Sequence, residues 1–320
     1  MQIIEVKAFG GPEVLRLIEL PDPVPQPGQI LVEVMAAGIN FADIVARQGR
    51  YRRVPTAPFF PGFEVAGIVK QVGPEVQGFV TGDRVMGLIT GGGYASLVAL
   101  DASVAIKLPD ELDFAVATSL LIQGLTAYFL LETGGLQQGG NVLVSSASGG
   151  VGSLAIQIAR LKGAGKVIGL ASTSKHDRIR ALGVDAAIDY THTGWADLVL
   201  KETGETGVGI FLDSQGNLDS EGFNTLGVGG HWIIFGTQTK SLEPLNPNRL
   251  GAFFAKNLTL RGYSVYYDVP RFGRALGEMI PWVTSGKLKV DVQSFPLSEA
   301  ADAHIAISER RTIGKVVLLP

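Results

Sequence analysis

Residues 144–153, VSSASGGVGS, form a run of small side chains between two apolar segments. The segment before it, NVLVSS, is typical of a buried strand, and the segment after it, GVGSLAIQIARLKG, repeats apolar residues at helical spacing. A strand, then Ala147-x-Gly149-x-x-Gly152, then a helix is the pattern of a dinucleotide-binding loop, with alanine at the first glycine position. Unpaired N–H groups at such a helix N-terminus attract a pyrophosphate. The loop residues expected to contact the dinucleotide are Ser148, Gly149, Gly150 and Val151.

The rest of the chain divides into two patterns. Residues 1 to about 110 consist of short β-like runs separated by glycine and proline, which indicates a β-rich domain. From residue 141 onward, strands alternate with helices, which requires parallel strands and crossover helices and predicts a doubly wound α/β sheet. The tail returns to short strands and one helix and is expected to rejoin the first domain. We therefore expect a first domain over 1–120, completed by 264–320, and a Rossmann domain over 121–263.

Composition excludes several classes of function. The chain has 320 residues, a net charge of -3 and no cysteine, so it lacks the broad cationic surface that nucleic acid requires and has neither disulfides nor a cysteine nucleophile. Its N-terminus has no secretory pattern, and a cytoplasmic location is expected. Phe114–Leu131 is uncharged and approaches membrane-spanning length, but polar residues interrupt it. We interpret it as a buried helix and expect no membrane partner.

The residues after the second Rossmann strand indicate which dinucleotide binds. An NAD site places an acidic residue about 20 residues beyond the last glycine, where this chain has Ala171 and Ser172. Ser172 to Lys175 offer hydroxyls and an ammonium where a 2′-phosphate would lie, so NADPH is the predicted cofactor. The alternative, a solvated helix cap at Ser174, stays open.

Several motifs occur together in order along the chain: AAGINFADIVARQGRY, PGFEVAGIVKQVG, GDRVMGL, GLTAYFLL, SASGGVGSLAIQIAR and GKVVLL. With them the chain resembles the medium-chain dehydrogenase/reductase superfamily, in its zinc-independent quinone oxidoreductase (zeta-crystallin-like) branch. The resemblance implies a GroES-like catalytic domain around a Rossmann domain, and a homodimer.

Zinc-dependent members of the superfamily carry a cysteine and a histidine where this chain has Asn40 and Phe63. Catalytic zinc needs three protein ligands, and the four histidines, His176, His192, His231 and His304, have no ligand spacing. We expect no metal site and place these histidines at the surface or at strand edges. Without a Lewis acid, the expected reaction is hydride delivery to an activated acceptor, a quinone or an enone.

The resemblance also implies roles for single residues. Tyr51 matches a tyrosine near the nicotinamide, as a hydrogen-bond donor to the substrate or as an aromatic cover of the cleft. Asn40 and Asp43 match nicotinamide or substrate contacts, and Asp43 has the alternative of capping a helix. The further cofactor contacts it implies are Thr126, Tyr190, Phe235, Gly236, Thr237 and Arg310, with Arg311 competing for the 2′-phosphate.

Two sets of residues remain open between binding and ordinary structure. Gln215 and Asn217 either edge the adenine side or form a turn. Arg50, Arg52 and Arg53 either receive an acidic substrate, such as a CoA tail, or form a solvated loop. The alternative functions are accordingly an enoyl-thioester reductase and, in another class, an NADPH-binding crystallin-like protein with little turnover.

Overall fold

The computed structural model describes residues 1–51, 56–218, 220–236 and 250–320. These residues form two compact units, Met1–Gln123 with Val290–Pro320, and Gly124–Lys289. In this division the tail belongs to the first unit from Val290 onward, whereas the sequence analysis placed its return at residue 264.

The first unit is rich in strands, as its short β-like runs predict. In chain order its elements are β1 Gln2–Val6, β2 Leu15–Glu19, β3 Gln29–Ile39, α1 Phe41–Arg47, β4 Glu64–Val72, β5 Arg84–Leu88, β6 Leu97–Asp101, β7 Ala105–Lys107 and α2 Phe114–Ser119.

The second unit alternates strands and helices, as the sequence predicts. In chain order its elements are α3 Leu125–Thr133, β8 Val142–Val144, α4 Gly150–Leu161, β9 Val167–Leu170, α5 His176–Ala181, β10 Ala186–Ile188, α6 Trp195–Glu202, β11 Val208–Asp213, β12 Leu226–Ile234, α7 Leu250–Lys256, β13 Thr259–Gly262 and α8 Phe272–Thr284. The chain then returns to the first unit with β14 Val292–Pro296, α9 Ala300–Ser308 and β15 Lys315–Leu319.

Strand order identifies the larger sheet of each unit. In the described part of the second unit, six strands pair in the order β10-β9-β8-β11-β12-β13, and every pair is parallel. Numbered from β8, this is the order 3-2-1-4-5-6 of a Rossmann fold, which reverses direction between β8 and β11. The first unit carries a mostly antiparallel sheet in the order β14-β15-β3-β4-β5-β7, with β6 also paired to β3. The α/β fold class with a β-rich second domain is confirmed.

The position of α8 explains why the domain boundary lies later than expected. Its Phe272 ring stacks on Phe129 of α3 with centroids 6.2 Å apart, and its Glu278 accepts a hydrogen bond of 2.8 Å from the Tyr128 hydroxyl. Lys289 lies just beyond α8, and its carbonyl oxygen accepts a hydrogen bond of 2.9 Å from the Gln157 side chain of α4. These contacts hold residues 264–289 in the second unit, and they are long-range contacts that local sequence does not reveal.

The long apolar segment is helical, through α2, a π-helical turn at Leu120–Gly124 and α3. Phe114–Thr133 meets the length and hydropathy of a membrane span, but 72% of its most apolar window is buried within the protein. This burial supports the interpretation of the segment as a core helix.

Candidate cofactor and substrate site

The glycine loop has the close approach of backbone that its sequence predicts. Ser146 has a left-handed backbone (φ 48), a conformation that few residues other than glycine adopt. A Cβ added at Gly152 would lie 2.3 Å from the Ser146 carbonyl oxygen, and one at Gly149 would lie 3.3 Å from the same atom. Gly149 is the N-cap of α4, and Gly150 and Val151 begin the helix. The first N–H groups of a helix lack intrahelical partners, so this end presents donors and partial positive charge to an anion.

A hydrogen-bonded cluster lies at the carboxyl ends of β8 and β11, where the strand order reverses. The Ser146 hydroxyl is 2.7 Å from that of Ser214, which is 3.2 Å from that of Ser145. The Gln215 side-chain amide donates to the Ser146 hydroxyl at 2.9 Å. Gln215 therefore holds the glycine loop, a role that the sequence analysis did not assign.

Asp213 anchors this cluster from the end of β11. Its carboxylate accepts hydrogen bonds from the Trp232 indole N–H (3.0 Å) and from the backbone N–H of Gln215 (2.8 Å). Burial raises its pKa, and those donors counteract the rise. The cluster connects β8, β11 and β12 where open α/β sheets bind their ligands.

The chain after β12 approaches the same cluster. The Phe235 N–H donates to the Asp213 carbonyl oxygen at 3.0 Å. A Cβ at Gly236 would lie 2.6 Å from the Ser214 carbonyl oxygen, so the residue must be glycine for the two loops to pass. Thr237 lies outside the described residues. Two further predicted contacts, Thr126 on α3 and Ser148 in the glycine loop, are buried in the same unit.

The loop after β9 meets an acidic residue that the sequence analysis overlooked. Asp189, just after β10, accepts hydrogen bonds on one oxygen from the Thr173 N–H (2.8 Å) and hydroxyl (2.5 Å). Its other oxygen accepts from the Thr191 N–H (2.9 Å) and hydroxyl (2.7 Å). These hydrogen bonds, led by those of the two threonine hydroxyls, depress the pKa of Asp189 far below its usual range. Ser172 and Lys175 flank the Thr173 clamp, and Tyr190 directly follows Asp189.

In the first unit, the residue after β3 belongs to a buried polar cluster. The Asn40 amide donates to Glu64 Oε1 at 2.7 Å, and its Oδ1 accepts from the Lys315 ammonium at 3.2 Å. Glu64 and Lys315 form an ion pair whose side chains are both fully buried. The sequence signal for this pair is one charge in each of two apolar strands, FEVAGIV and GKVVLL.

Asp43 is fully buried at the start of α1, as the capping alternative describes. Its two oxygens accept hydrogen bonds from the backbone N–H groups of Asn40 (2.8 Å) and Gly62 (3.1 Å). Burial raises its pKa to about 7. These contacts make Asp43 a support of the Asn40 loop.

His304 is fully buried, which corrects its expected place at the surface. Its Nε2 lies 3.1 Å from the Tyr94 hydroxyl, and burial lowers its pKa to about 3. Burial, and secondly the charge of Asp43, raises the pKa of Tyr94.

Three further predicted residues, Tyr51, Arg310 and Arg311, lie in the first unit, and Asn217 lies in the second. Tyr51 is partly buried, with its ring 5.8 Å from that of Phe63. Arg310 and Arg311 follow α9, and Arg311 pairs with Glu309 at 2.7 Å. Arg50 is exposed, whereas Arg52 and Arg53 lie outside the described residues.

Comparison with known proteins gives consistent matches over the whole chain. Residues 26–110 match the alcohol dehydrogenase GroES-like domain, and residues 182–318 match a family described as zinc-binding dehydrogenase. The chain is 35% identical to a quinone oxidoreductase of Lama guanicoe, over 100% of this chain and 97% of the relative. It is 33% identical to the human synaptic vesicle membrane protein VAT-1 homolog, over 100% and 86%.

A solved structure agrees with this fold. The Escherichia coli quinone oxidoreductase complexed with NADPH superposes with a TM-score of 0.93 at 32% identity, covering 100% of both chains.

Proposed function

The chain belongs to the medium-chain dehydrogenase/reductase superfamily, in its quinone oxidoreductase-like (zeta-crystallin-like) branch, and on that premise we propose that it is an NADPH-dependent, zinc-free reductase. It transfers a hydride to a quinone or an α,β-unsaturated carbonyl compound. The observation that carries the proposal is the glycine loop between β8 and α4, which lies at the strand-order reversal of a parallel sheet.

The residues present fit a dinucleotide. The absent side chain at Gly152 lets the loop fold against Ser146, and the α4 N-terminus offers N–H groups to a pyrophosphate. Ser148, Gly149, Gly150 and Val151 would hold that group, and Gln215 would hold the loop through Ser146. Phe235 and Gly236 would line the cofactor from the end of β12.

The preference for NADPH is supported by the environment of Asp189. A carboxylate offers about four lone-pair positions, and the two threonines already supply four donors. Asp189 therefore has little capacity left for ribose hydroxyls. The clamp holds Thr173 in the loop that also carries the Ser172 and Ser174 hydroxyls, 3.4 Å apart, and Lys175. These three side chains would bind a 2′-phosphate, with Tyr190 and Arg310 as further contacts.

The zinc-free character is supported by the available ligands. The chain has no cysteine, and the described ranges, with gaps at 52–55, 219 and 237–249, contain no group of three His, Asp or Glu side chains placed to share an ion. Catalytic zinc needs three such ligands. The residues therefore do not fit the metal in the name of the matched zinc-binding dehydrogenase model.

A bound nicotinamide supplies the hydride, and the protein positions and polarises the acceptor. Tyr51 would donate a hydrogen bond to the acceptor's carbonyl oxygen as negative charge develops there. Asn40 would orient the cofactor or the acceptor. Asp43 would hold the Asn40 loop by accepting the hydrogen bond from the Asn40 backbone N–H.

The function is tested by following NADPH oxidation with 9,10-phenanthrenequinone, a simple enone and crotonyl-CoA. Turnover of the quinone or the enone supports the proposal. Selective turnover of the thioester would instead identify an enoyl-thioester reductase, and tight NADPH binding without turnover of any acceptor would identify a binding protein.

A further inference from the structure

Three strands of the first unit bring a buried ion pair to the Asn40 loop. β15 pairs with β3 through Val316 and Ile39, and β4 pairs with the other edge of β3 through Val65 and Ala37. Lys315 and Glu64 are the first residues of these two outer strands. Their side chains therefore meet at the end of β3, where both contact the side chain of Asn40.

Every proton of the Lys315 ammonium has an acceptor. The group donates to the Ile39 carbonyl oxygen at 3.2 Å, to Asn40 Oδ1 at 3.2 Å and to Glu64 Oε1. An ammonium has three donors, so its hydrogen bonds are complete. Lysine donates only, and the side chain therefore specifies that the oxygen of the Asn40 amide faces it.

Glu64 specifies the opposite end of the same amide. Its Oε1 accepts from the Asn40 amide nitrogen at 2.7 Å, and its Oε2 accepts from the Ile122 N–H at 2.8 Å. Gly38 makes room for the carboxylate, because a Cβ there would lie 2.3 Å from Glu64 Oε1. A carboxylate accepts only, so the nitrogen of Asn40 must face it.

Stability does not explain such a pair. Desolvation of two buried charges offsets most of their attraction, and apolar replacements of similar volume are often as stable. What an apolar pair cannot do is distinguish the oxygen of an asparagine amide from its nitrogen.

We propose that Lys315 and Glu64 are positioning residues that hold the Asn40 amide in one orientation for cofactor or acceptor binding. The inference deepens the proposed function and rests on it, since Asn40 acts there. It assigns a task to two charges that are fully buried and paired with each other.

The test compares the effect of Asn40→Ala in two backgrounds: the wild type, and a double variant that lacks both buried charges. Lys315→Met with Glu64→Gln, called here the charge-free variant, removes both charges, conserves volume and keeps an acceptor for the backbone N–H of Ile122. Its melting temperature is therefore expected to lie within a few degrees of that of the wild type. Either single change leaves an unpaired buried charge and is expected to destabilise strongly.

Activity should separate positioning from structure. Asn40→Ala is expected to lower kcat/KM about tenfold in the wild type, as loss of one directed hydrogen bond would. The charge-free double variant should show the same loss, and adding Asn40→Ala to it should change little. As a matched control, Lys166→Met with Glu202→Gln removes an exposed pair in the second unit and should leave the Asn40→Ala effect intact.

A readout without turnover keeps the inference separate from the proposed function. The side-chain NH₂ protons of Asn40 are observed through their attached ¹⁵N and are assigned by their loss in Asn40→Ala. They should exchange slowly with solvent in the wild type and much faster in the charge-free variant. Equal protection in both, or an Asn40→Ala effect that persists in full on the charge-free background, would overturn the inference. Absence of wild-type turnover with every acceptor would overturn the proposed function instead.

Discussion

Asp189 shows how a single carboxylate can hold two loops of a sheet together. Each of its oxygens accepts two hydrogen bonds, from Thr173 on one side and Thr191 on the other. The clamp connects the loops after β9 and β10, which together carry the predicted 2′-phosphate contacts.

We expect Asp189→Asn to weaken NADPH binding about tenfold, because the NH₂ group of an amide would face one of the two threonines, whose backbone N–H would lose its acceptor. The Kd is measured by quenching of protein fluorescence. Asp177→Asn, at an exposed carboxylate paired with Arg180, is the control and should bind like the wild type. Tighter NADPH binding by Asp189→Asn would mean that the charge, and not the clamp, dominates.

Lys175→Ala should reduce kcat/KM with NADPH by about 10- to 100-fold, the loss of one charge-assisted hydrogen bond. With NADH the change should be small, because that cofactor has no 2′-phosphate. Lys201→Ala, at an exposed lysine on α6, controls for net charge. Equal losses with both cofactors would place Lys175 away from the adenosine.

Sequence reasoning at this scale succeeded where a residue acts through local backbone and failed where it acts through a distant partner. The glycine loop could be predicted, because the role of Gly152 depends on residues next to it. The burial of Glu64 and His304 could not, because the partners Lys315 and Tyr94 are distant in sequence and come together only in the folded sheet.

At the scale of elements, the junction of β8 and α4 couples packing to binding. Gly152 lets α4 start directly against Ser146, so the helix N-terminus lies at the strand-order reversal. The alternation of strands and helices was predictable from hydrophobic periodicity. Assignment of α8 to the second unit was not, since it depends on rings of α3 that are remote in sequence.

Gly152→Ala should destabilise the protein by about 1–3 kcal/mol, because the added methyl overlaps backbone that must shift, and should weaken NADPH binding. Urea unfolding and fluorescence titration measure the two effects. Gly277→Ala is the matched control: its added methyl in α8 meets open space, and it should stabilise the helix by about 0.5–1 kcal/mol. An unchanged NADPH Kd in Gly152→Ala would contradict the assignment of this loop.

At the scale of the whole molecule, a buried neutral histidine makes stability depend on pH. The pKa of His304 is about 3 in the folded protein, below its ordinary value of 6.5, so the unfolded chain binds a proton more readily. Stability is therefore lost as pH falls below about 6.5 and continues to fall until about pH 3.

Between pH 7 and pH 5 the wild type should lose about 2 kcal/mol more than His304→Gln, which has no titrating ring. Asp43 titrates with the opposite sign, since its raised pKa favours the folded state at lower pH, but it is common to both proteins and cancels in the difference. Parallel urea midpoints across this range would contradict a buried neutral His304.

The homodimer and the cytoplasmic location remain predictions. Gel filtration with light scattering tests the first, and fractionation of cells tests the second.

The central claim is that this molecule uses NADPH to reduce an activated carbonyl compound. Its most direct test is the ratio of kcat/KM for NADPH to that for NADH, with 9,10-phenanthrenequinone at a fixed saturating concentration. We predict a ratio on the order of a hundred or more, from about two charge-assisted hydrogen bonds to the 2′-phosphate. A ratio near one, or a preference for NADH, would contradict the account.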